Sequence, residues 1–350
     1  MNVKTELTKA TREALERAGR IIREGGLVGF PTETMYGLGG NALDGAAAKA
    51  IFEAKGRPGD NPLIVHVCDV AQIPPLIDGD MPEAARQLAE AYWPGPMTLI
   101  MKKSAAIPTE VSAGLDTVGI RIPSNPDARA LIAAAGVPIA APSGNRSGRP
   151  SPTQAAHMME DMDGRIPMIL DGGPCTVGLE SSVIDCTVFP PRVLRPGGVT
   201  PHMIAEACGA VEVDGSVLRA LREDEKPRSP GMKYRHYAPK GAVTIVTGHP
   251  GNVEKRILEL ATQARDAGKT VLILALDAHV AAYEGFAVRD LGDDAAQMAN
   301  RLFDLLRYAD EIGADAVFSE AVEAEELGLA VMNRLGRAAA FHVVNADEAN

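Results

Sequence analysis

Four cysteines in 350 residues, Cys68, Cys175, Cys186 and Cys208, are too few and too scattered to found a structure on. None has CxxC spacing, which argues against a disulfide framework and a zinc site and fits a reducing cytoplasm. No apolar run approaches the length of a membrane span. The N-terminal MNVKTELTKATREALERAG is charged and helical in period, with no apolar segment behind it. The expectation is therefore neither secretion nor insertion. Aromatics make up only 4%. The sole tryptophan, Trp93, lies between a helix end and prolines and is read as structural. Three signatures are also missing. There is no GxxxxGK[ST] loop, Gly248-His-Pro-Gly251 is not GxGxxG, and Ser143 has neither the G-x-S-x-G elbow nor an adjacent His or Lys, so a covalent serine hydrolase is a poor reading.

What is present is an ordinary globular composition, 46% hydrophobic and 23% charged, with a length that suggests two domains. The net charge of −11 is uneven. Residues 241–350 hold 9 basic and 18 acidic side chains, and should repel nucleic acid. Residues 1–240 are near neutral. Their lysines and arginines recur beside glycine and proline in loops, which suggests an anion site.

The first such loop follows an apolar strand, 27–30, and reads Phe30-Pro-Thr-Glu-Thr-Met-Tyr-Gly-Leu-Gly39. Its polar residues lie just beyond a strand end, where open α/β sheets place ligands. Before it, residues 8–24 show helical spacing that stops at Gly25-Gly26. After it, Asp44 is placed to cap a helix ending near Lys55. Lys55-Gly-Arg-Pro-Gly-Asp-Asn-Pro62 then feeds the strand Leu63–Val67. Lys55 and Arg57 suit a polyanion, or else belong to a solvated turn, and His66 is either a core residue or a ligand contact. Residues 97–101 and 118–123 read as strands, and the second places Arg121 among apolar neighbours. A buried arginine meets either an internal carboxylate or a bound anion. Asn125 caps a helix over 126–135 with Pro126 at its first position.

The second rich loop is Ala141-Pro-Ser-Gly-Asn-Arg-Ser-Gly148, whose small residues and hydroxyls suit a phosphate. Residues 166–170 read as a strand, 181–185 and 192–197 as a hairpin, and Thr200 as the cap of a helix to Cys208. Residues 211–240 read as a linker. Its Ser229–Pro239 stretch alternates Lys233, Arg235 and His236 with Tyr234 and Tyr237, a pattern for a lid over a nucleotide or a plain tether. From 241, strands at 242–247, 270–276, 286–289 and 315–318 alternate with helices at 252–266 and 294–309, predicting a parallel Rossmann-like sheet.

Taken in order, Phe30–Gly39, Lys55-Gly-Arg-Pro58 with Asn61-Pro-Leu-Ile-Val-His66, Trp93-Pro-Gly-Pro-Met-Thr98, Gly119-Ile-Arg-Ile-Pro123, Ala141-Pro-Ser-Gly-Asn145, Asp171-Gly-Gly173, Glu180-Ser-Ser-Val-Ile-Asp185 and Arg195-Pro-Gly197 form one set. The chain resembles the YrdC-like threonylcarbamoyl-AMP synthase family in its longer, two-domain form. The resemblance covers nearly the whole chain. It implies an α/β fold: a twisted YrdC-like α/β domain with a concave basic cavity (8–210), a linker able to act as a lid (211–240), and a smaller Rossmann-like parallel domain (241–346). It implies that L-threonine, bicarbonate and ATP give threonylcarbamoyl-AMP, with Mg²⁺ on the triphosphate. The product would pass to the machinery that modifies tRNA beside the anticodon, in the cytoplasm, without stable nucleic-acid or membrane binding by this chain. The family's threonine contacts carry over to Thr34, His66, Arg121, Ala141 and Ser181 or Ser182. Its ATP contacts carry over to Lys55, Arg57, Asn61, Thr117, Ser143, Ser151, Arg195 and Tyr234. The competing reading is an RNA-binding or regulatory module on the same scaffold.

Overall fold

The computed structural model describes residues 4–217, 219 and 237–348. The chain divides into two compact units, the first built from residues before 234 and the second mainly from 234 onward. Ser229–Lys233, Tyr234, Arg235 and His236, the core of the expected lid, lie outside the described residues.

The first unit runs β1 Glu6–Lys9, α1 Arg12–Arg23, β2 Val28–Phe30, β3 Gly37–Asn41, α2 Gly45–Lys55, β4 Ile64–His66, α3 Glu83–Tyr92, β5 Met97–Lys102 and α4 Thr109–Ser112. It continues with β6 Thr117–Arg121, α5 Pro126–Ala135, β7 Ile139–Ala141, α6 Ala155–Met162, β8 Met168–Asp171, β9 Ser182–Asp185, β10 Arg192–Arg195, α7 Pro201–Cys208 and β11 Glu212–Val213. Its strands form one mixed sheet in the order β1-β8-β2-β3-β7-β4-β6-β5-β9-β10-β11.

Local chemistry accounts for many of the helix ends. Asp44 accepts from Ala46 N, Asn125 from Ala128 N and Thr200 from Met203 N, as the cap residues in the sequence lead one to expect. Two elements differ from expectation. The helix expected over 8–24 starts only at Arg12, because residues 6–9 pair in parallel with β8, Glu6 opposite Met168, and Thr11 caps what remains. Likewise Glu212–Val213, inside the expected linker, pairs with β10, and Val217 is buried. In both places distant strand pairing overrides a local pattern.

The two faces of the sheet have different fates. One buries Val65, Leu99, Ile120, Ala140 and Ile184 in the main core. At one end of the other face, α1 and α5 cover Val28, Phe30, Ile139, Ala141 and Met168. The helices approach so closely there that a Cβ on Gly19 would stand 2.6 Å from Ala134 C. The middle of this second face is left for polar side chains.

The second unit runs β12 Ala242–Thr247, α8 Pro250–Asp266, β13 Val271–Ala275, β14 Ala287–Asp290, α9 Ala295–Glu311, β15 Ala316–Glu320, α10 Glu326–Ala338 and β16 Val343–Asn345. The order is β14-β13-β15-β12-β16 with every pairing parallel, the Rossmann-like sheet expected; the pair α10 and β16 escaped the sequence reading. Among the described residues, no helix is long and apolar enough to cross a membrane.

At the carboxyl edge of this sheet, buried Glu320 accepts from Tyr283 Oη at 2.6 Å and from His279 Nδ1 at 2.8 Å, with Glu254 3.8 Å from His279 Nε2. The hydrogen bond to Glu320 is the main cause that raises the His279 pKa. A raised folded pKa gives stability that is complete below the ordinary histidine value of about 6.5 and is lost as pH rises through the folded value. Urea titrations of the full chain should show the second unit weakening across that window. His279→Gln should flatten the dependence there, and an unchanged slope would assign it to other groups.

Candidate active site

Strand register places most of the expected residues on one surface. Partners directly opposite in a sheet point to the same face. His66 on β4 stands opposite Arg121 on β6 and Ile139 on β7, and Ile64 stands opposite Ala141. Continuing outward, Ile100 on β5 faces Gly119, and Thr98 faces Val183 on β9. Ala141, His66, Arg121 and Thr98 therefore share the second face, and Ser181, one step before β9, joins them. Arg195 arrives by a different device. The register shifts between Val193 and Arg195, so Leu194 and Arg195 share the place opposite Val183. This bulge turns the guanidinium onto the same face. Its Nε donates to Ser181 O at 3.1 Å and its Nη2 to Ser181 Oγ at 3.2 Å, while Thr98 Oγ1 lies 2.8 Å from Ser181 Oγ.

Of the two serines carried over together, Ser182 points the other way. Its hydroxyl donates to Val199 O at 2.6 Å and accepts from Val199 N at 3.0 Å, so it ties the hairpin to the following loop.

The two rich loops are stitched to each other. Leu38 N donates to Pro142 O and Gly144 N to Tyr36 O. Within the first loop, Thr32 Oγ1 donates to Met35 O at 2.6 Å and accepts from the N–H groups of Thr34 and Met35. Thr34 Oγ1 lies 2.9 Å away, and either hydroxyl can be the donor. The buried Thr34 hydroxyl is thereby held in place as a polar group of the face.

Helix α2 ends at Gly56, whose φ of 63° is in the left-handed region glycine favours, and Arg57 N closes back on Phe52 O. This leaves Lys55 on the last turn, buried, where its ammonium donates to Ser143 O and, at 2.5 Å, to Asn145 O. Lys55 here holds the 143–145 loop in shape. Lys55→Met should remove these charge-assisted bonds, lowering stability by about 2–3 kcal/mol and ATP affinity by tenfold or more. Urea unfolding and ATP titration check this, and wild-type ATP affinity would separate the loop from the nucleotide site. Arg57 packs its guanidinium 5.9 Å over the Phe52 ring. Asn61 is fully buried with neither side-chain atom partnered among the described residues. Ser151 Oγ donates to Glu180 Oε1 at 2.9 Å. Thr117 stands at the outer end of β6, four residues before Arg121 and half-buried.

Arg121 is not alone. Its Nη2 lies 2.7 Å from Glu33 Oε1, and both side chains are about 5% exposed. Burial opposes the Glu33 charge, but the Arg121 guanidinium together with the backbone N–H groups of Glu33 and Ser124 keeps the carboxyl below its usual pKa. Beside them His66 is pushed down to about 3, by burial first and the Arg121 charge second. The ring is neutral, Nδ1 must donate to Ile64 O at 3.1 Å, and Nε2 keeps its lone pair. The Cys175 thiol is pushed up to about 12 by burial and then by Glu33, so it stays protonated. The site therefore has hydrogen-bond acceptors, a paired arginine and cationic loops, but no activated nucleophile among these groups.

Sequence reasoning did not assign Glu33, Thr98 and Glu180. Thr98 was discoverable as the one polar residue inside Met97–Met101, and Glu33 and Glu180 lay within quoted motifs. Nothing local said which partner each would meet.

A mixed sheet with a polar face of this kind, followed by a parallel Rossmann-like unit, is a two-unit α/β architecture whose polar face suits small polar ligands. Comparison narrows the class. A family model described as "Telomere recombination" matches residues 20–197, and one described as "Threonylcarbamoyl-AMP synthase, C-terminal domain" matches residues 199–340. The threonylcarbamoyl-AMP synthase of Pyrococcus abyssi is 45% identical over 93% of this chain and 94% of its own. That of Bacillus subtilis is 44% identical over 94% of each. The crystal structure of P. abyssi Sua5 complexed with L-threonine superposes with a TM-score of 0.91 at 43% identity, covering 99% of both chains. The chain belongs to the threonylcarbamoyl-AMP synthase family, in its two-domain form.

Proposed function

We propose that this chain joins L-threonine, bicarbonate and ATP into threonylcarbamoyl-AMP, pyrophosphate and water, in the cytoplasm, for the threonylcarbamoyl modification of tRNA beside the anticodon. The observation that carries the reading is the shared face. Ala141, His66, Arg121, Ser181 and Arg195 come from five separate strands or strand ends, yet strand register and a bulge turn them to one side.

Arg121 receives the threonine carboxylate. Thr34 Oγ1 and His66 Nε2 line the pocket beside its hydroxyl, and small Ala141 leaves room beside them. Lys55 and Arg57, with Asn61, Ser143, Ser151, Thr117 and Arg195, form the nucleotide side, and Tyr234 is assigned there from the linker. The threonine nitrogen adds to bicarbonate, or to CO2 formed from it, and the resulting carbamate oxygen attacks the α-phosphorus of ATP as pyrophosphate leaves. Alignment and neutralised phosphate charge lower such a barrier without a protein nucleophile. A neutral His66 with its pKa near 3 is a poor base, so it serves as a hydrogen-bond acceptor. Mg²⁺ would accompany the triphosphate. The described residues gather no set of three or more His, Cys, Asp or Glu side chains able to hold it, so water and phosphate would supply most of its ligands. The 211–240 segment is proposed as the lid and 241–346 as the second domain.

Purified protein should release pyrophosphate only when threonine, bicarbonate and ATP are all supplied. Release without threonine would sink the assignment, and salt-sensitive tRNA binding without turnover would favour the RNA-binding alternative.

A further inference from the structure

The Arg121–Glu33 pair leaves one acceptor and one donor over. Glu33 Oε2 and Arg121 Nε are both buried, and neither makes a close hydrogen bond among the described residues, although the backbone N–H groups of Glu33 and Ser124 lie near enough to favour the carboxylate charge. Groups so placed cost free energy unless a ligand completes them. The pair also sets the charge of the pocket. A lone buried arginine attracts any carboxylate, whereas an arginine already neutralised by a glutamate holds an incoming carboxylate that must also face the Glu33 charge. A ligand bearing both a carboxylate and an amine meets both halves.

The neighbours sharpen the match. Thr34 Oγ1 and His66 Nε2 are neutral groups, so Glu33 is the charged acceptor beside them. Its backbone is fixed as well, since Glu33 O accepts from Val177 N at 2.7 Å. Building on the reading of this pocket as the threonine site, we propose that Glu33 is a specificity-determining residue whose Oε2 accepts a hydrogen bond from the α-amino nitrogen of the substrate, while Oε1 stays on Arg121. Glu33 thereby selects α-amino acids over the corresponding hydroxy acids, which share the carboxylate and side-chain hydroxyl of threonine but not its amine.

The test is calorimetry on the full chain with two probes: L-threonine, and 3-hydroxybutyrate of the same hand, which is threonine stripped of its amino group. The wild type should bind threonine at least about tenfold more tightly than 3-hydroxybutyrate. In Glu33→Gln, which keeps an oxygen for Arg121, threonine affinity should fall about 10- to 100-fold. The affinity for 3-hydroxybutyrate should hold or rise. If both ligands weaken together, Glu33 only positions Arg121 and the proposal is overturned. If the variant does not fold, the wild-type comparison decides, and equal affinities for the two probes overturn the proposal. A wild type that binds no threonine defeats the functional reading itself and this assignment with it. A wild type that binds threonine, alongside a Glu33→Gln chain that binds it equally well, defeats only the role of Glu33.

Discussion

Arg121→Ala is expected to weaken L-threonine binding by about 100- to 1,000-fold while ATP binding stays within about threefold. Truncating one partner of a buried, hydrogen-bonded charge pair between protein and ligand costs about 2–5 kcal/mol of binding. At about 1.4 kcal/mol per tenfold, the expected loss falls within that range. The loss falls on threonine because Arg121 sits beside His66 in the strand register, at the end of the face proposed for the amino acid. Stability should fall too. With Arg121 present, Glu33 has a depressed pKa, so the pair contributes stability above the ordinary carboxyl value of about 4.3 and loses it as pH falls through the folded value. Without Arg121 that acid-range dependence should disappear. Arg121→Lys keeps the charge but not the planar fork, and should recover stability better than affinity. Separate titrations with threonine and ATP decide the matter, and equal losses would make Arg121 a scaffold residue.

Gly197→Ala should be nearly as damaging, although it adds one methyl group at a residue that touches no substrate in this account. A Cβ there would come 2.4 Å from Ser182 N, 2.7 Å from Glu180 O and 2.7 Å from Ser181 C. All three are backbone atoms, so no side chain can swing aside. The β10 end must then separate from the Glu180–Ser182 segment, breaking the contacts of Arg195 with Ser181. Overpacking of this kind costs about 1–3 kcal/mol, and more where nothing yields. Turnover should drop by about 100-fold or more, with affinity for both threonine and ATP reduced, since Ser181, the proposed threonine contact, and Arg195, the proposed nucleotide contact, are bonded to each other. Urea unfolding and kinetics together check this. Full activity with unchanged stability would mean that the hairpin shifts freely and does not shape the site.

Much of this arrangement was legible in the sequence wherever the determinant is local. Alternation in Gly119-Ile-Arg-Ile marked a strand with an inward arginine, and Asn125 with Pro126 marked the start of α5. The ordered motifs named the family because its loops keep a fixed vocabulary of glycine, proline and hydroxyl residues. What stayed hidden depends on pairing across long separations. β1 is four residues of mixed polarity that become a strand only beside β8. The partner of Arg121 lies 88 residues earlier in the chain. That Ser181 and not Ser182 joins the polar face follows from register on β5, since Ser182 stands opposite the core residue Met97. The turn of Arg195 onto the face depends on a bulge that no local pattern announces.

The central claim is that one face of the first unit brings an amine, a one-carbon acid and a nucleotide together. Its most direct test supplies the full chain with ¹⁵N-threonine, ¹³C-bicarbonate and ATP and identifies the nucleotide product by mass spectrometry. The expected product is an adenylate carrying both labels, ¹³C joined to ¹⁵N, formed in step with pyrophosphate. An adenylate lacking either label, or ADP and free phosphate in place of pyrophosphate, would contradict it.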